Sequence, residues 1–109
     1  MEYDFPKEIQ IGGHIYKIIL KDAAGVDDGG ENCGDSCQGN VELRIAIKMR
    51  DGTSRAISAI EETFWHEALH QIDRIYAAKD TLDEGEICRL SQGLYQIFNQ
   101  LGWHIIRTK

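Results

Sequence analysis

Positive charge is scarce in this sequence. Twelve lysines and arginines stand against eighteen aspartates and glutamates among 109 residues, so the net charge at pH 7 is −6. Proteins that bind the phosphate backbone of nucleic acids usually carry a basic face, and this balance leaves little material for one. We therefore expect no nucleic-acid partner.

Long apolar segments are also absent. No run approaches the roughly 20 apolar residues of a membrane-spanning helix. The first ten residues, MEYDFPKEIQ, are acidic where a signal peptide would be basic and then apolar. Hydrophobic residues make up 42% of the chain, which is enough for one modest core. These features predict a single soluble domain over residues 1–109, located in the cytoplasm and without membrane contact.

Cysteines are few and odd in number: Cys33, Cys37 and Cys88. A small secreted scaffold normally has a denser, even set, so we expect reduced thiols. The first two lie in CGDSC, with three residues between them and no second pair elsewhere in the chain. Because a four-ligand structural zinc site needs two such pairs, we expect a turn-rich loop here rather than a metal site.

The first half of the chain predicts β-strands. The stretch IQIGGHIYKIILK, rich in β-branched residues, predicts a first strand centred on residues 15–20, with a bend or bulge at Gly12-Gly13. In VELRIAIK, residues 41–48, apolar and polar side chains alternate, which predicts a second strand. A short strand near 33–37 could form a hairpin with it. The rest of the glycine-rich, acidic segment 22–40 is expected to be loop.

The second half predicts two helices. Ser58 and Glu61 have the spacing of a capping box, and the apolar residues that follow recur at threes and fours to about residue 78. A second capping box, Thr81 to Glu84, opens another helix that ends at Gly102. Because the connector AAKDT is short, the two helices should lie close together and roughly antiparallel.

Together these elements predict an α+β fold, with a small antiparallel sheet packed on two long helices. The tail WHIIRTK could add a short strand or lie across the surface. No repeat, low-complexity tract or linker divides the chain, which agrees with one domain.

The predicted first helix contains the sequence WHEALH at residues 65–70. Its histidines, His66 and His70, are four residues apart, so their imidazoles project from one helical face, about 6 Å apart along the axis, and can converge on one ion. In H-E-x-x-H sites the glutamate after the first histidine, here Glu67, acts as general base on water activated by zinc. The motif therefore predicts a zinc site and hydrolytic chemistry.

A catalytic zinc keeps three protein ligands and one open position, so a third donor is needed. In metzincins that ligand follows the second histidine by six residues, with a glycine at three, but those positions are Tyr76 and Asp73. In gluzincins the third ligand is a glutamate on a later helix that packs beside the first, which matches the predicted topology. The segment LDEGEICRL supplies three candidate acids: Asp83, Glu84 and Glu86.

Glu86 is our preferred third ligand. Glu84 already has a task as the partner of Thr81 in the capping box, whereas Glu86 lies one turn before Leu90 and should point inward. If the cap were instead Asp83, Glu86 would take the capping task, and the choice would weaken.

Three acids and one histidine stay open as further participants in the site. Glu84 is the first alternative to Glu86, followed by Asp83 and His104. Asp73 lies on the helical face of the two histidines, where it would either orient a ligand or be a solvated carboxylate.

The chain resembles a family of small zinc-metallopeptidase-like proteins found in bacteriophages and prophages. The resemblance rests on PKEIQIGGHIYKI, VELRIAI, ETFWHEALHQID and EICRLSQGLYQIF, of which the histidine motif is the specific part. It implies a minimal zincin-like fold and carries over His66, Glu67 and His70, together with an acid on the final helix. The chain departs from the family pattern in its longer glycine- and aspartate-rich loop at 22–40.

The function expected from these features is zinc-dependent hydrolysis of peptide bonds in a peptide or protein substrate. By analogy with zincins, the 41–48 strand could bind an extended peptide as an edge strand. One alternative is an inactive interaction module in which zinc only locks the two helices, with His104 or a cysteine as fourth ligand. Another is a helical protein without metal.

Overall fold

The fold consists of a small mixed β-sheet and two long helices, which confirms the predicted α+β class. The structure is a computed structural model of the chain, and it describes residues 3–22, 34–37, 41–49, 51–77, 81–105 and 107–108. The elements in chain order are β1 (Tyr3–Asp4), β2 (Glu8–Ile11), β3 (His14–Asp22), β4 (Gly34–Cys37), β5 (Glu42–Lys48), α1 (Ile57–Tyr76), α2 (Glu84–Gln100) and β6 (Arg107–Thr108).

The predicted first strand is two strands joined as a hairpin. β2 and β3 pair antiparallel, with Ile11 opposite His14 and Gly12-Gly13 in the turn between them. Gly12 has a φ of +62°, and a Cβ atom there would lie 2.8 Å from Cγ2 of Ile75 on α1. Glycine suits both the left-handed backbone and the close approach of turn and helix. The bend predicted at Gly12-Gly13 is therefore a complete turn.

The sheet is mixed, so the prediction of an antiparallel sheet is wrong. Its strand order is β2-β3-β5-β4, and β3 pairs parallel with β5, with Leu20 opposite Ile45. β4 pairs antiparallel with β5, which confirms the hairpin predicted between them. After β3 the chain first forms β4 at the edge of the sheet and then reverses direction into β5. β5 therefore lies between β3 and β4 and runs in the same direction as β3.

β5 lies inside the sheet, between β3 and β4. The prediction that the 41–48 strand offers a free edge beside the helix of the histidines is therefore wrong. β4 has that position, since it stands at one end of the strand order and packs against α1.

The core lies between the sheet and α1. Tyr16 on β3 and Leu43 and Ile45 on β5 are fully buried, as are Ile60 and Phe64 on α1. Each such side chain removed from water contributes on the order of 1.5–3 kcal/mol. The spacing of four between Ile60 and Phe64 turns one face of α1 to the sheet, which leaves another face for α2.

A buried hydrogen bond joins the sheet to the half of α1 that carries the histidines. The Tyr16 hydroxyl donates to Oε1 of Gln71 at 2.9 Å, and both side chains are fully buried. Hydrogen bonds in such a low-dielectric environment are strong and directional. Because Gln71 directly follows His70, this contact limits rotation of α1 about its axis and so helps to set the direction of the histidines.

α1 begins one residue before the predicted capping box, and that capping prediction is wrong. The N-cap is Ala56, which makes no side-chain capping hydrogen bond, so Ser58 is already helical. Glu61 points inward instead of capping. Its carboxylate accepts a hydrogen bond from the backbone N–H of Ile105 at 2.8 Å and lies 3.2 Å from Nδ1 of His104.

α2 begins with a capping box different from the predicted one. Asp83 is the N-cap: its Oδ1 accepts from the Glu86 N–H at 2.8 Å, and Oε1 of Glu86 accepts from the Asp83 N–H at 3.0 Å. The predicted box of Thr81 and Glu84 is therefore wrong. Thr81 is bound to Asp73 of α1 instead, through its hydroxyl and through its backbone N–H at 2.9 Å.

The two helices run antiparallel, as predicted. His70 near the end of α1 contacts Glu84 at the start of α2, whereas Ser58 at the start of α1 is hydrogen-bonded to Tyr95 in the last turns of α2. The end of α2 is followed by Gly102, which has a φ of +74° as expected for a residue that ends a helix.

Of the two alternatives for the C-terminal tail, the short strand is the one present, because β6 pairs antiparallel with β1. Neither of the two helices is both long and apolar enough to cross a bilayer, within the described residues. Most of the predicted loop at 22–40, including Cys33, lies outside the described residues.

Candidate metal centre

His66 and His70 direct their rings at the same point. Both lie on α1, one turn apart, and their Nε2 atoms are 3.2 Å from each other. The ring planes are inclined at 66°, with centroids 4.9 Å apart. Both side chains are largely but not fully buried, so the nitrogens meet at the edge of the helix pair rather than in the core. The convergence predicted from the spacing of four is present.

A carboxylate from α2 lies across both nitrogens, and it belongs to Glu84. Its Oε1 is 2.6 Å from Nε2 of His66 and its Oε2 is 2.9 Å from Nε2 of His70. The Glu84 side chain is 67% exposed, which leaves the cluster open to solvent on that side. Each oxygen of the Glu84 carboxylate thus contacts one of the two imidazoles.

Glu86, the predicted third ligand, is not brought to the histidines. Its carboxylate accepts from the Asp83 backbone in the capping box, two residues beyond Glu84. Asp83 is the N-cap and does not reach the cluster either. Glu84 rather than Glu86 faces the histidines because of where α2 begins. Asp73 binds Thr81, so Asp83 is the N-cap and Glu86 is its partner in the capping box.

The donors fit a divalent metal of the zinc type. Two imidazoles and one carboxylate form the ligand set of many catalytic zinc sites. A tetrahedral centre with bonds of about 2.0–2.1 Å separates its donors by about 3.3 Å. Here the two histidine Nε2 atoms are 3.2 Å apart, close to that value, whereas the two Glu84 oxygens lie closer, one at 2.6 Å from Nε2 of His66 and the other at 2.9 Å from Nε2 of His70. Imidazole N–H groups can also donate hydrogen bonds to a carboxylate at these distances. The same three side chains can therefore be joined either by hydrogen bonds or by a metal ion.

Cys88 lies on the other side of the His66 ring. It is one helical turn after Glu84, and its Sγ is 3.7 Å from Nδ1 of His66. The metal-ligating atoms of His66, Glu84 and Cys88 all lie within 4.8 Å of one another. Burial, followed by the negative charges of Glu84 and Glu62, raises the pKa of the Cys88 thiol. A thiol that resists ionisation is a poor nucleophile, so the Cys88–His66 pair does not indicate cysteine-type catalysis.

Glu67, the predicted general base, is buried with 6% of its surface exposed. It directly follows His66 on α1, and its charge is among those that raise the pKa of Cys88, which contacts the His66 ring. Because so little of Glu67 is exposed, its carboxylate is shielded from bulk solvent.

Asp73 anchors the connector between the helices. Its Oδ2 accepts from the backbone N–H groups of Thr81 at 2.9 Å and Leu82 at 3.0 Å, and its Oδ1 accepts from the Thr81 hydroxyl. These hydrogen bonds, that of the Thr81 side chain above all, lower the pKa of Asp73. Asp73 is 8% exposed as a residue and its carboxylate accepts these hydrogen bonds, so it is not simply a solvated group. It holds the residues that immediately precede Asp83 and Glu84.

His104, a predicted alternative ligand, pairs with Glu61 and does not join the cluster. It lines an aromatic cavity of about 380 Å³ near the start of the tail, which the sequence analysis did not predict. The rings of Trp65, Phe98 and Trp103 line this cavity and are tilted against one another, with centroid distances of 4.8 Å and 5.8 Å between neighbours. The signal in the sequence is an aromatic residue on each helix together with one just beyond α2.

No protein-family model, curated protein or solved structure matches this chain. The resemblance to phage and prophage metallopeptidase-like proteins therefore stays a prediction. At the cluster two imidazoles and the Glu84 carboxylate converge at a partly open site, and the buried Glu67 directly follows the first histidine in the sequence.

Proposed function

We propose that the chain is a zinc-dependent peptidase with a zincin-like fold, in which His66, His70 and Glu84 hold the metal and Glu67 is the general base. The observation that carries this proposal is the Glu84 carboxylate, whose two oxygens reach Nε2 of both histidines at 2.6 Å and 2.9 Å. Glu84 takes the place of Glu86 as third ligand. The exposed side of Glu84 leaves access for a substrate, as a catalytic site requires.

Zinc, when bound, supplies a Lewis acid that polarises the scissile carbonyl and acidifies water. Glu67 accepts the proton of the attacking water and delivers it to the leaving nitrogen, which converts a poor leaving group into an amine. Support for this role comes from its position directly after His66 and from its burial, which keeps competing water away from the carboxylate.

The position of β4 supports an extended peptide as the substrate. β4 is an edge strand that packs against α1, the helix of both histidines. An extended peptide can add to such an edge through main-chain hydrogen bonds, with its scissile bond directed toward the neighbouring helix. Residues 34–37 thus replace 41–48 as the proposed peptide-binding strand.

The ligand assignment is tested by the metal content of paired variants. We expect the protein purified without an affinity tag to carry about one equivalent of zinc. Glu84→Gln should lose most of it, because an amide is a much weaker zinc ligand than a carboxylate. Glu86→Gln is the matched control: it lies two residues away, retains an oxygen for the capping box, and should keep its zinc. Equal zinc loss in both variants, or in neither, would contradict the assignment.

The base assignment is tested by Glu67→Gln. This variant should bind zinc like the parent protein and hydrolyse an unstructured protein substrate about 10²–10⁴-fold more slowly, the usual contribution of a general base. Peptide cleavage followed by mass spectrometry, with metal content measured on the same samples, separates the two effects. Undiminished cleavage by Glu67→Gln would remove Glu67 from the mechanism.

A closed, inactive metal site is the second candidate, and the position of Cys88 within 4.8 Å of the His66 and Glu84 donors favours it. A thiolate as fourth ligand would fill the position that a substrate needs. Substitution with Co²⁺ distinguishes the two, because a cobalt–thiolate bond gives an intense near-ultraviolet charge-transfer band. That band, if it disappears in Cys88→Ser, would replace the peptidase proposal with a structural metal site.

A further inference from the structure

The two nitrogens of the His66 ring face different residues of the same helix. Nε2 faces the Glu84 carboxylate at 2.6 Å, whereas Nδ1 faces Sγ of Cys88 at 3.7 Å. Glu84 and Cys88 are four residues apart on α2, so both project toward α1 from one helical face. Two residues one turn apart on α2, Glu84 and Cys88, therefore face the two nitrogens of the His66 ring.

The chemistry of a metal-binding imidazole requires this division of tasks. A neutral imidazole has one N–H and one lone pair, and the nitrogen that binds a metal must present the lone pair. The other nitrogen then carries the proton and needs an acceptor, which in metal sites is usually a carboxylate, a carbonyl oxygen or water. Sulfur is a weak acceptor whose hydrogen bonds are longer than those of oxygen, so 3.7 Å is within its range.

We propose that Cys88 is a positioning residue for His66: its sulfur accepts a hydrogen bond from the Nδ1–H group, which keeps the proton on Nδ1 and leaves the Nε2 lone pair directed at the metal site. This inference rests on the proposed function, since it assigns a metal to Nε2. It gives Cys88 a task outside the coordination sphere, in contrast to the closed site, where the same sulfur would bind the metal itself.

His70 provides the internal contrast. Its Nε2 shares the Glu84 carboxylate with His66, but within the described residues only His66 has a cysteine at Nδ1. We therefore expect the two imidazoles to respond differently to changes at Cys88, with the effect confined to the His66 ring.

The test uses zinc titration of the full chain with a competing chromogenic chelator, together with nitrogen-15 NMR of the zinc-loaded protein. We expect Cys88→Ala to weaken zinc binding about tenfold, the usual effect of removing a residue that orients a ligand. Cys88→Ser, which retains an acceptor, should recover part of that loss. The His66 Nδ1–H signal should be protected from water exchange in the parent and broadened in Cys88→Ala, while the His70 signal stays unchanged.

Ser91→Ala is the matched control. Ser91 is buried one turn further along α2, and its hydroxyl donates to the Cys88 carbonyl at 3.0 Å, so its loss disturbs the same helix without touching His66. Zinc affinity should stay at the parental value in this variant. An equal loss of affinity in Ser91→Ala and Cys88→Ala would mean that helix stability is responsible, and it would overturn the positioning role.

The remaining outcomes are also decisive. If the parent binds one equivalent of zinc and Cys88→Ala binds it as tightly, the inference on Cys88 is wrong while the metal proposal stands. If the parent binds no zinc, both fail. A sulfur-to-cobalt charge-transfer band in the Co²⁺-substituted parent, absent in Cys88→Ser, would make Cys88 a ligand and overturn the positioning role.

Discussion

The two ends of α1 each join a histidine to a glutamate, and they do so in opposite ways. Near the start of the helix, Glu61 is 2% exposed, and its carboxylate binds both the Ile105 backbone N–H and His104. Near its end, two imidazoles share Glu84, which is 67% exposed and comes from the neighbouring helix. Histidine and glutamate thus hold the C-terminal tail in place near the start of α1, whereas near its end they form a solvent-accessible cluster of possible metal ligands.

This difference shows which feature carries the functional argument. A buried carboxylate that accepts a backbone N–H holds a segment in place, here the tail at residues 104–105, and has limited capacity for a ligand. The exposed Glu84 carboxylate meets two imidazole nitrogens, and exposed pairs of this kind contribute little to folding stability. Substitutions in the two clusters should therefore have different effects on metal binding and on stability.

The largest expected effect is on metal binding. His70→Ala removes one of three proposed ligands, so zinc affinity should fall by more than the roughly 10–100-fold typical of residues that only orient a ligand. His104→Ala should leave zinc affinity unchanged, because His104 pairs with Glu61 instead. Titration with a competing chelator measures both. A similar loss in the two variants would end the distinction between the clusters.

Folding stability should show the reverse pattern. Glu61→Ala removes the acceptor of the Ile105 N–H and the partner of His104, so the free energy of unfolding should fall by about 1–3 kcal/mol. Glu84→Ala, measured with a chelator present, should change it by less than about 0.5 kcal/mol, as is usual for exposed sites. Urea unfolding followed by circular dichroism gives both values. The assignment of a structural role to Glu61 would not survive a negligible change in Glu61→Ala.

A smaller effect is expected at the start of α2. Asp83→Ala removes the N-cap and should cost about 1 kcal/mol, while Asp83→Ser should restore most of that stability. Because Glu84 is the next residue, fraying of this turn should also weaken zinc binding in the alanine variant. Unfolding curves and zinc titrations of the two variants together test whether the cap positions the ligand.

The smallest effect concerns pH. The pKa of Asp73 is lowered in the folded protein from its ordinary value of 3.8, mainly by the Thr81 side chain. A lowered folded pKa means that the stabilising contribution is present above the unfolded pKa and is lost as the pH falls from there through the folded pKa. Asp73→Asn should therefore be less stable than the parent at pH 6, and the difference should shrink below pH 3.8. A constant difference across that range would contradict this account.

The helices and most of the strands could be predicted from the sequence, because periodicity and turn residues are local signals. The convergence of His66 and His70 was also predictable, since a spacing of four on a helix fixes it. The parallel pairing of β3 with β5 was not, because it depends on β4 taking the edge position, and strand order is a property of the whole sheet.

The identity of the acid at the cluster shows a second limit. The sequence TLDEGE contains two overlapping capping boxes, Thr81 with Glu84 and Asp83 with Glu86. Local spacing does not choose between them. The choice is made by Asp73, eight residues before Thr81, which binds the Thr81 hydroxyl and so removes it from capping. A contact between helices thus decides which glutamate is left for the histidines.

The brevity of β4 has a consequence for recognition. Only alternate residues of a strand direct both their N–H and C=O groups to the same side. The four-residue strand β4 therefore has about two residues whose backbone groups can pair with a peptide. Each main-chain hydrogen bond contributes about 0.5–1.5 kcal/mol net, so a peptide held by its backbone alone would bind weakly and dissociate quickly. If the chain is the proposed peptidase, its selectivity would have to come from the side chains of its substrate, and turnover would be helped by rapid release of the cleaved halves.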